Sequence, residues 1–352
     1  MRKVLKKLLP NSIVSKIYAL KIEINFQFIK LFAKSDFLSS LYYLLFSSSF
    51  SREHRSVLKG RLAYKQTLLL VDKSSALLRR NIHRIEKGLI MQPRRDVFAE
   101  AYIGETVKCY TSAMEQTSVC TEELKWAQDV LTLYFSVVSH HGAIAKAFED
   151  YNSECEHSAL SYVPYKYKDL PPSCVTFEQL ETLYKRRRSV RWFENKEVPI
   201  ALLKQAVNAA SLAPSACNRQ PYEFYIVNES GKATALAELA MGTAGFAKNI
   251  QCTIAIVGDL SAYPAERDRH VIYIDSSLAS MQLMLALETL GLATCSINWP
   301  DVEGREKAIE SKLELPKHKR VIMLMAVGYA QKEGGIPFSQ KKSDKLLVKE
   351  IS

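Results

Sequence analysis

Several patterns that would assign a protein to a known kind of site or location are missing from this sequence. No GxGxxG dinucleotide fingerprint follows a predicted strand, and neither an internal repeat nor a low-complexity tract is present. The seven cysteines show no CxxC pair and no zinc-ligand spacing. They are Cys109, Cys120, Cys155, Cys174, Cys217, Cys252 and Cys295. We therefore expect reduced thiols in a cytoplasmic protein and no metal site.

An apolar run long enough to cross a membrane is also missing from the N-terminal region. Residues 37–50 are apolar, but a bilayer needs about 20 such residues, and charged residues interrupt 16–36. No small-residue cleavage site of a signal peptide follows. Residues 1–60 nevertheless hold eleven Lys and Arg against three acidic residues, a net +8 out of the formal +11.

This charge and the neighbouring aromatics predict that residues 1–50 form a basic amphipathic segment that contacts a membrane peripherally, at its inner face. A solubilising charged helix face is the alternative. No recognised nucleic-acid-binding module accompanies the charge, so we expect no nucleic-acid partner.

The rest of the 352 residues changes texture twice. Residues 51–152 space their apolar side chains three and four apart, which predicts a helical region, and 153–175 is a linker rich in Pro, Tyr and Ser. Residues 176–352 alternate helices with the strands "YEFYIVN", "CTIAIVGD" and "RVIMLMAVGYA". In that part, a long apolar helix is expected to be capped by Asp275 and ended by Gly291. We predict an α+β fold with a mainly helical N-terminal region.

Arginines surround one serine in "RRRSVRWFENKEVP", residues 186–199. Guanidinium groups bind phosphate oxygens through forked, charge-assisted hydrogen bonds, and a serine hydroxyl adds a neutral donor. Arg187, Arg188, Ser189 and Arg191 are therefore candidates for one phosphate site. An exposed basic helix end would have the same sequence.

Three further stretches carry candidate ligand-binding residues. "APSACNRQP" contributes Pro214, Ser215, Asn218 and Gln220, whose small side chains and amides suit a planar heterocycle. "LGLATCSINWP" leaves the long helix and presents Ser296 and Asn298 in what we expect to be a loop. "GYAQKEGGIPFSQKK" follows the last strand and supplies Lys341 and Lys342.

Together these stretches resemble the nitroreductase family of FMN enzymes. The resemblance covers residues 177–352 and lies in "RRSVR" at 187–191, "APSACNRQP" at 213–221, "LGLATCSINW" at 290–299 and "GYAQK" at 328–332. It implies an α+β sandwich that forms a homodimer with two flavins at the subunit interface. It also implies that hydride passes from NADH or NADPH through FMN to an organic acceptor, and that no protein acid or base is obligatory.

The resemblance also implies roles for individual residues. Arg187, Arg188 and Arg191 would bind the flavin phosphate and ribityl chain, with a hydrogen bond from Ser189. Pro214 and Ser215 would line the ring, and Ser296, Ile297 and Asn298 would reach it near its reactive nitrogen. Lys341 stands where a second phosphate-binding residue is usual, and Lys342 is the alternative.

Two questions stay open at this point. The chemistry could instead be that of a flavin-dependent dehydrogenase or oxidase acting on a biosynthetic intermediate, or the chain could be a non-catalytic membrane-associated protein that kept the fold. The stretch 79–96, with His83, Glu86, Lys87 and Gly88, could cover the flavin pocket. It could equally be an ordinary helix with a charge pair and a terminal glycine.

Overall fold

The computed structural model describes residues 10–67, 74–116, 118–152 and 159–351. They divide into two compact units, Met1–Arg55 and Ser56–Ser352. The first unit contains α1 (Asn11–Phe32), α2 (Asp36–Leu45) and the beginning of α3 (Ser51–Thr67). The four-part division predicted from composition stays a prediction.

The predicted helical region is confirmed by α4 (Ala76–Leu89), α5 (Ile103–Met114), α6 (Thr121–Val137) and α7 (Gly142–Asn152), which enclose a core of their own. This core contains fully buried side chains such as Leu78, Ile82, Leu131 and Tyr134. Ser75 begins α4, because its side chain accepts a hydrogen bond from the Leu78 amide. The following stretch, as far as it is described, has one short 3₁₀ turn, Tyr167–Asp169.

A four-stranded antiparallel sheet is the centre of residues 177–352. Its strands are β1 (Tyr222–Val227), β2 (Cys252–Asp259), β3 (Ala293–Asn298) and β4 (Lys319–Gly328), in the order β1-β2-β4-β3. Three of them confirm the predicted strands. The fourth, β3, was expected to be a loop, and that expectation was wrong. Its residues are short and partly polar, which is not typical of a strand, but they pair with β4, Ser296 opposite Met325 and Asn298 opposite Met323.

Helices cover both faces of the sheet. Ala255 and Val257 of β2 lie in a core with Leu236 of α10 (Ser230–Ala237) and Ile309 of α12 (Glu303–Lys312). On the other face, Ile254 and Ile256 pack with α9 (Ile200–Ala210) and α11 (Val271–Thr289). Because side chains alternate along a strand, β2 is buried on both sides. The fold is therefore α+β, as predicted, with α8 (Phe177–Arg186) and the short α13 (Asp344–Leu347) outside the layers.

The long apolar helix differs from its prediction at one end. It begins at Val271, so Asp275 lies inside the helix and does not cap it. Gly291 follows its C-terminus with a φ of +77°, as expected of a terminal glycine. By length and hydropathy the segment Glu266–Thr289 qualifies as a membrane span, alone among the residues described. However, α11 packs on the sheet as the core helix of a globular fold does.

Candidate functional site

The loop between α9 and β1, residues 211–221, has a strained backbone. Cys217, Asn218 and Gln220 adopt left-handed conformations, with φ of 53°, 51° and 50°. Residues other than glycine rarely adopt this backbone conformation, and among them asparagine and aspartate tolerate it best. Such strain persists only where surrounding contacts impose it.

Asp275 of α11 supplies one set of these contacts. Its carboxylate is buried and accepts hydrogen bonds from the Ser215 hydroxyl (2.7 Å) and the Ala216 amide (2.9 Å). The Ser215 hydroxyl oxygen in turn accepts a hydrogen bond from the Gln220 backbone amide at 2.7 Å. Ser215 is therefore oriented by a buried charge, and the whole turn is closed around it.

Arg79 of α4 supplies the second set. Its guanidinium donates to the Asn218 carbonyl (2.9 Å) and to the Gln220 side-chain oxygen (3.1 Å). It also pairs with the buried Glu123 of α6 at 3.0 Å and lies 5.5 Å from the centre of the Trp126 ring. The Arg79 guanidinium thus links the helical region to this loop, because it binds Glu123 on one side and Asn218 and Gln220 on the other.

These contacts occupy groups that the sequence suggested for ligand binding. Both polar atoms of the Gln220 side chain have protein partners. Its oxygen accepts from Arg79, and its nitrogen donates to the Ser211 carbonyl at 2.7 Å. Pro214 is exposed, whereas Ser215 and Asn218 are half-buried. The contributions of Asp275, Arg79 and Glu123 were missed, since nothing in their local spacing connects them to a loop far away in the chain.

The stretch 79–96 contains a charge pair of the kind that the ordinary-helix alternative describes. His83 and Glu86 are 3.2 Å apart, and Glu86 accepts a hydrogen bond from the Trp126 indole at 2.9 Å. Gly88 was expected to end the helix, but α4 continues through Leu89. A Cβ on Gly88 would lie 2.3 Å from the Phe98 ring, so glycine is required there for packing.

Residues 187–191, which we call the arginine segment, lie against the edge of the sheet. Ser189 forms a parallel bridge with Thr294 of β3, and the Val190 amide donates to the Thr294 carbonyl at 2.9 Å. Arg187, Arg188, Ser189 and Arg191 are all half-buried. Burial raises the pKa of the Cys295 thiol, while the nearby charges of Arg191 and Arg187 oppose that rise. Both guanidinium groups therefore lie close to β3.

These arginines have no carboxylate partner among the residues described. Arg191 donates to the Ser189 carbonyl (3.2 Å) and lies 5.8 Å from the centre of the Phe246 ring. The Arg187 Nε is buried without any hydrogen-bond partner. A buried unpaired donor of a charged group is costly, so this segment has the properties of an anion site.

Ser296, Ile297 and Asn298 lie in β3 beside the arginine segment. The Ser296 and Asn298 side chains are exposed on one face of the strand, and the Ser296 hydroxyl contacts the Met284 sulfur of α11 at 3.1 Å. Ile297 points to the other face and lies in the core, so only its backbone can reach a ligand. The two polar side chains border the face of the sheet that α11 covers.

Lys341 and Lys342 lie in the exposed C-terminal segment. The segment starts at the sheet, where the Gln331 amide donates to the Trp192 carbonyl at 3.0 Å. The C-terminal segment therefore begins beside Trp192, the residue after Arg191.

The helix α11 separates the candidate residues into two groups. Asp275 holds Ser215 at one end, Met284 contacts Ser296 nine residues later, and Glu288 pairs with Arg186 at 2.9 Å near the other end. At 1.5 Å per residue, thirteen residues span about 20 Å. The 213–221 loop and the arginine segment are thus distant from each other along this helix.

Within the described ranges, no group of three or more His, Cys, Asp or Glu side chains could hold a metal ion. Six of the cysteines are free thiols, and Cys155 lies outside the described residues. Burial raises the pKa of the Cys252 thiol to about 12, so this thiol stays protonated at neutral pH.

Comparison with known proteins relates this sequence to one family. The nitroreductase family model matches residues 184–244 and 233–329. The NADH dehydrogenase of Thermus thermophilus is 30% identical over 181 residues, which are 42% of this chain and 85% of that protein. Human iodotyrosine deiodinase 1 is 23% identical over 233 residues, covering 58% of this chain and 78% of the relative. An FMN-dependent nitroreductase structure from Clostridium difficile superimposes with a TM-score of 0.40 and 27% identity over 46% of this chain and 94% of that one.

Proposed function

Because this chain belongs to the nitroreductase family, we propose that it is an FMN-dependent oxidoreductase that moves hydride from NADH or NADPH to an organic acceptor. Members of this family are flavin oxidoreductases that typically bind FMN and use NAD(P)H. FMN would supply the hydride chemistry, and the protein would position it and control what reaches it.

The arginine segment is the observation that carries the proposal. Three arginines of one short segment are half-buried without a carboxylate partner among the described residues, Arg187 and Arg191 are both near Cys295, and the Arg187 Nε has no partner. The terminal phosphate of FMN is a dianion whose oxygens can accept all of these donors. The residues present therefore fit the group, with Arg187, Arg188, Ser189 and Arg191 as its phosphate and ribityl ligands.

The polar groups of β3 and of the 213–221 loop would orient the cofactor. Ser296 and Asn298 offer side chains on one face of a rigid strand, and the backbone of Ile297 lies between them. The Ser215 hydroxyl donates to Asp275 and accepts from the Gln220 backbone amide. These two hydrogen bonds fix the turn, so its backbone would be held in place beside the cofactor. Rigid elements hold a ligand more reproducibly than mobile loops do.

We further propose a homodimer in which each flavin site takes residues from both copies. The distance of about 20 Å along α11 between the two groups of candidate residues supports this arrangement, since one copy would supply the arginines and its partner the Pro214–Gln220 loop. The exposed C-terminal segment with Lys341 and Lys342 would then reach the phosphate in the assembled dimer.

A second candidate reaction is the reductive removal of halogen from an aromatic amino acid. The observation that favours it is the extent of the match to human iodotyrosine deiodinase 1, which covers 58% of this chain and hence more than the residues 177–352 that carry the motifs. That reaction would use the same arginine segment, so it differs from the first proposal only in the acceptor.

The absorption spectrum of the purified protein, followed by anaerobic titration with NADH and NADPH, tests the proposal. We expect a yellow protein that releases FMN on denaturation and whose flavin is bleached by one of the two nicotinamides. A colourless protein that fails to bind added FMN would favour the non-catalytic alternative. FAD as the sole flavin would contradict the phosphate assignment.

Turnover with different acceptors then separates the reactions. A nitroaromatic compound and a mono-iodinated tyrosine are added to the reduced protein without oxygen, and nicotinamide consumption is followed with each. Flavin that is bleached by neither nicotinamide, but re-oxidised by oxygen after reduction with dithionite, would instead indicate the dehydrogenase or oxidase alternative.

A further inference from the structure

The helices α1 and α2 leave most of their apolar side chains in water. Ile13, Ile17, Leu20, Ile24, Phe28 and Leu31 follow one another at intervals of three and four residues, so they form one stripe along α1. All six are exposed, Leu20 to 62%. We call them the apolar stripe. No residue of α2 is buried, and Leu44 is 79% exposed.

A narrow polar stripe runs along α1 next to the apolar one, and the side opposite the apolar stripe carries the exposed apolar residues Ile22, Phe26 and Ile29. Lys16, Glu23, Gln27 and Lys30 also recur at helical spacing, and the Gln27 amide donates to Glu23 at 2.6 Å. We call these four residues the polar stripe. A helix with so much exposed apolar surface normally buries it against another surface.

Aromatic rings join the ends of the two helices. Phe28 and Phe32 of α1 contact Phe46, which follows α2, with ring centres 5.2 and 5.5 Å apart. A cleft of about 300 Å³ lies beside them and is lined by rings and serine hydroxyls, including Tyr42, Tyr43 and Ser39. Aromatic rings next to hydroxyl groups are typical of the headgroup level of a bilayer.

The charges of this segment indicate which surface covers the apolar stripe. Residues 1–60 carry a net charge of +8, and Lys16, Lys21, Lys30 and Lys34 lie on or next to α1. Four charged residues within α1 make it unsuitable as a membrane span. A helix that is apolar over most of its surface, carries lysines along a narrow polar stripe and is too charged to cross is suited to lie flat in the membrane interface.

We propose that α1 and α2 bind an anionic lipid bilayer, with the apolar stripe and the exposed side chains of α2 inserted at the level of the headgroups. The lysines contact lipid phosphates, and each adds to the binding through the negative surface potential. A purely polar partner would leave the apolar stripe exposed, and a neutral bilayer would leave the lysines without anionic contacts. Full affinity therefore needs a surface that is both apolar and anionic.

Co-sedimentation of the full chain with vesicles tests this proposal. Phosphatidylcholine vesicles with and without phosphatidylglycerol are compared at low and high salt. We expect the protein to pellet with the anionic vesicles and to be released by salt. Protein that stays in the supernatant with anionic vesicles overturns the proposal.

Matched serine pairs on the two adjacent stripes of α1 make the test specific. Leu20→Ser with Ile24→Ser removes two residues of the apolar stripe and should lower the partition coefficient about tenfold or more. Glu23→Ser with Gln27→Ser has the same number and spacing of serines on the polar stripe and should leave binding equal or stronger. Equal losses in both pairs would overturn the assignment of the stripe.

Two further measurements separate lipid binding from misfolding and from self-association. Lys16→Glu with Lys30→Glu should weaken binding about tenfold to the anionic vesicles, and an unchanged partition contradicts the proposal even if the Leu20 and Ile24 pair fails to fold. If Leu20→Ser with Ile24→Ser alters only the oligomeric state in gel filtration and not vesicle binding, a second copy covers the stripe and the lipid proposal is wrong.

Discussion

The positions of Arg187 and Arg191 are set by the backbone and not by carboxylates. The bridge between Ser189 and Thr294 and the hydrogen bond from Val190 fix the segment along β3. Its guanidinium groups are therefore kept near the sheet before any ligand binds. Such preorganisation lowers the cost of ordering side chains on binding.

Arg187→Ala and Arg191→Ala should each weaken FMN binding roughly ten- to a hundredfold, because one charged hydrogen bond is worth about 1.5–3 kcal/mol. Lys332→Ala removes a similar charge at an exposed position and serves as the control. Quenching of flavin fluorescence during titration measures all three. Equal losses would mean that the arginines act only through general electrostatics.

At the scale of the element, α4 has two tasks. One side of it lies in the core of the helical region, and Arg79 reaches from it to the 213–221 loop. Gly88 brings the end of α4 into contact with the Phe98 ring, which packs against Tyr134 with ring centres 5.0 Å apart. The helix is therefore fixed at both ends by contacts that allow little movement.

Gly88→Ala should destabilise the protein by about 1–3 kcal/mol, because the new methyl group would overlap a ring that is itself packed. Alanine normally favours a helix over glycine by about 1 kcal/mol. Gly104→Ala in α5, where nothing lies within 4 Å, should accordingly be neutral or stabilising. Urea unfolding of both variants checks the prediction, which fails if the two alanines have the same effect.

Arg79→Ala should cost more than the loss of a surface ion pair, since it leaves the buried Glu123 carboxylate without its cation, with only Ser74 and Ser75 as donors, and frees the strained loop. We expect a loss of about 3 kcal/mol or more in the free energy of unfolding, together with weaker FMN binding.

Arg61→Ala is the matched control for Arg79→Ala. It breaks the exposed pair with Glu266 and should cost less than about 1 kcal/mol. Thermal unfolding and flavin titration of both variants decide the matter. A small effect of Arg79→Ala would mean that other contacts suffice to hold the loop.

At the scale of the whole molecule, the helical region and the sheet belong to one compact unit, Ser56–Ser352. Val57 of α3 packs in one cluster with Leu260, Tyr263 and Ile272, and a Cβ on Gly60 would lie 2.6 Å from Leu260. Together with Arg79, this contact makes the helical region a structural support of the nitroreductase part. A separable cover over the flavin would not need such packing.

Removal of residues 1–55 should leave thermal stability and FMN binding unchanged, because these residues form the other unit. Removal of residues 1–152 should instead expose Leu260 and Ile272 and release the 213–221 loop, so that the protein aggregates or binds FMN far more weakly. Differential scanning fluorimetry with added FMN compares the two truncations. A stable yellow protein from the longer truncation would show that the helical region is dispensable.

The sequence by itself determined the properties that depend on neighbours along the chain. Apolar periodicity predicted the helical region and three strands, and local motifs predicted the family and the α+β fold. These features rest on interactions within a few residues, or on residue types kept together in one stretch.

Only the tertiary structure decided which distant residues meet. Ser296 and Asn298 were expected in a loop, because a short polar strand becomes recognisable only beside its partner β4. Asp275 has the residue type of a helix cap, yet the helix begins earlier and its carboxylate holds Ser215. Arg79 acts on a loop 139 residues away. Such roles depend on packing across the chain, and no local pattern encodes them.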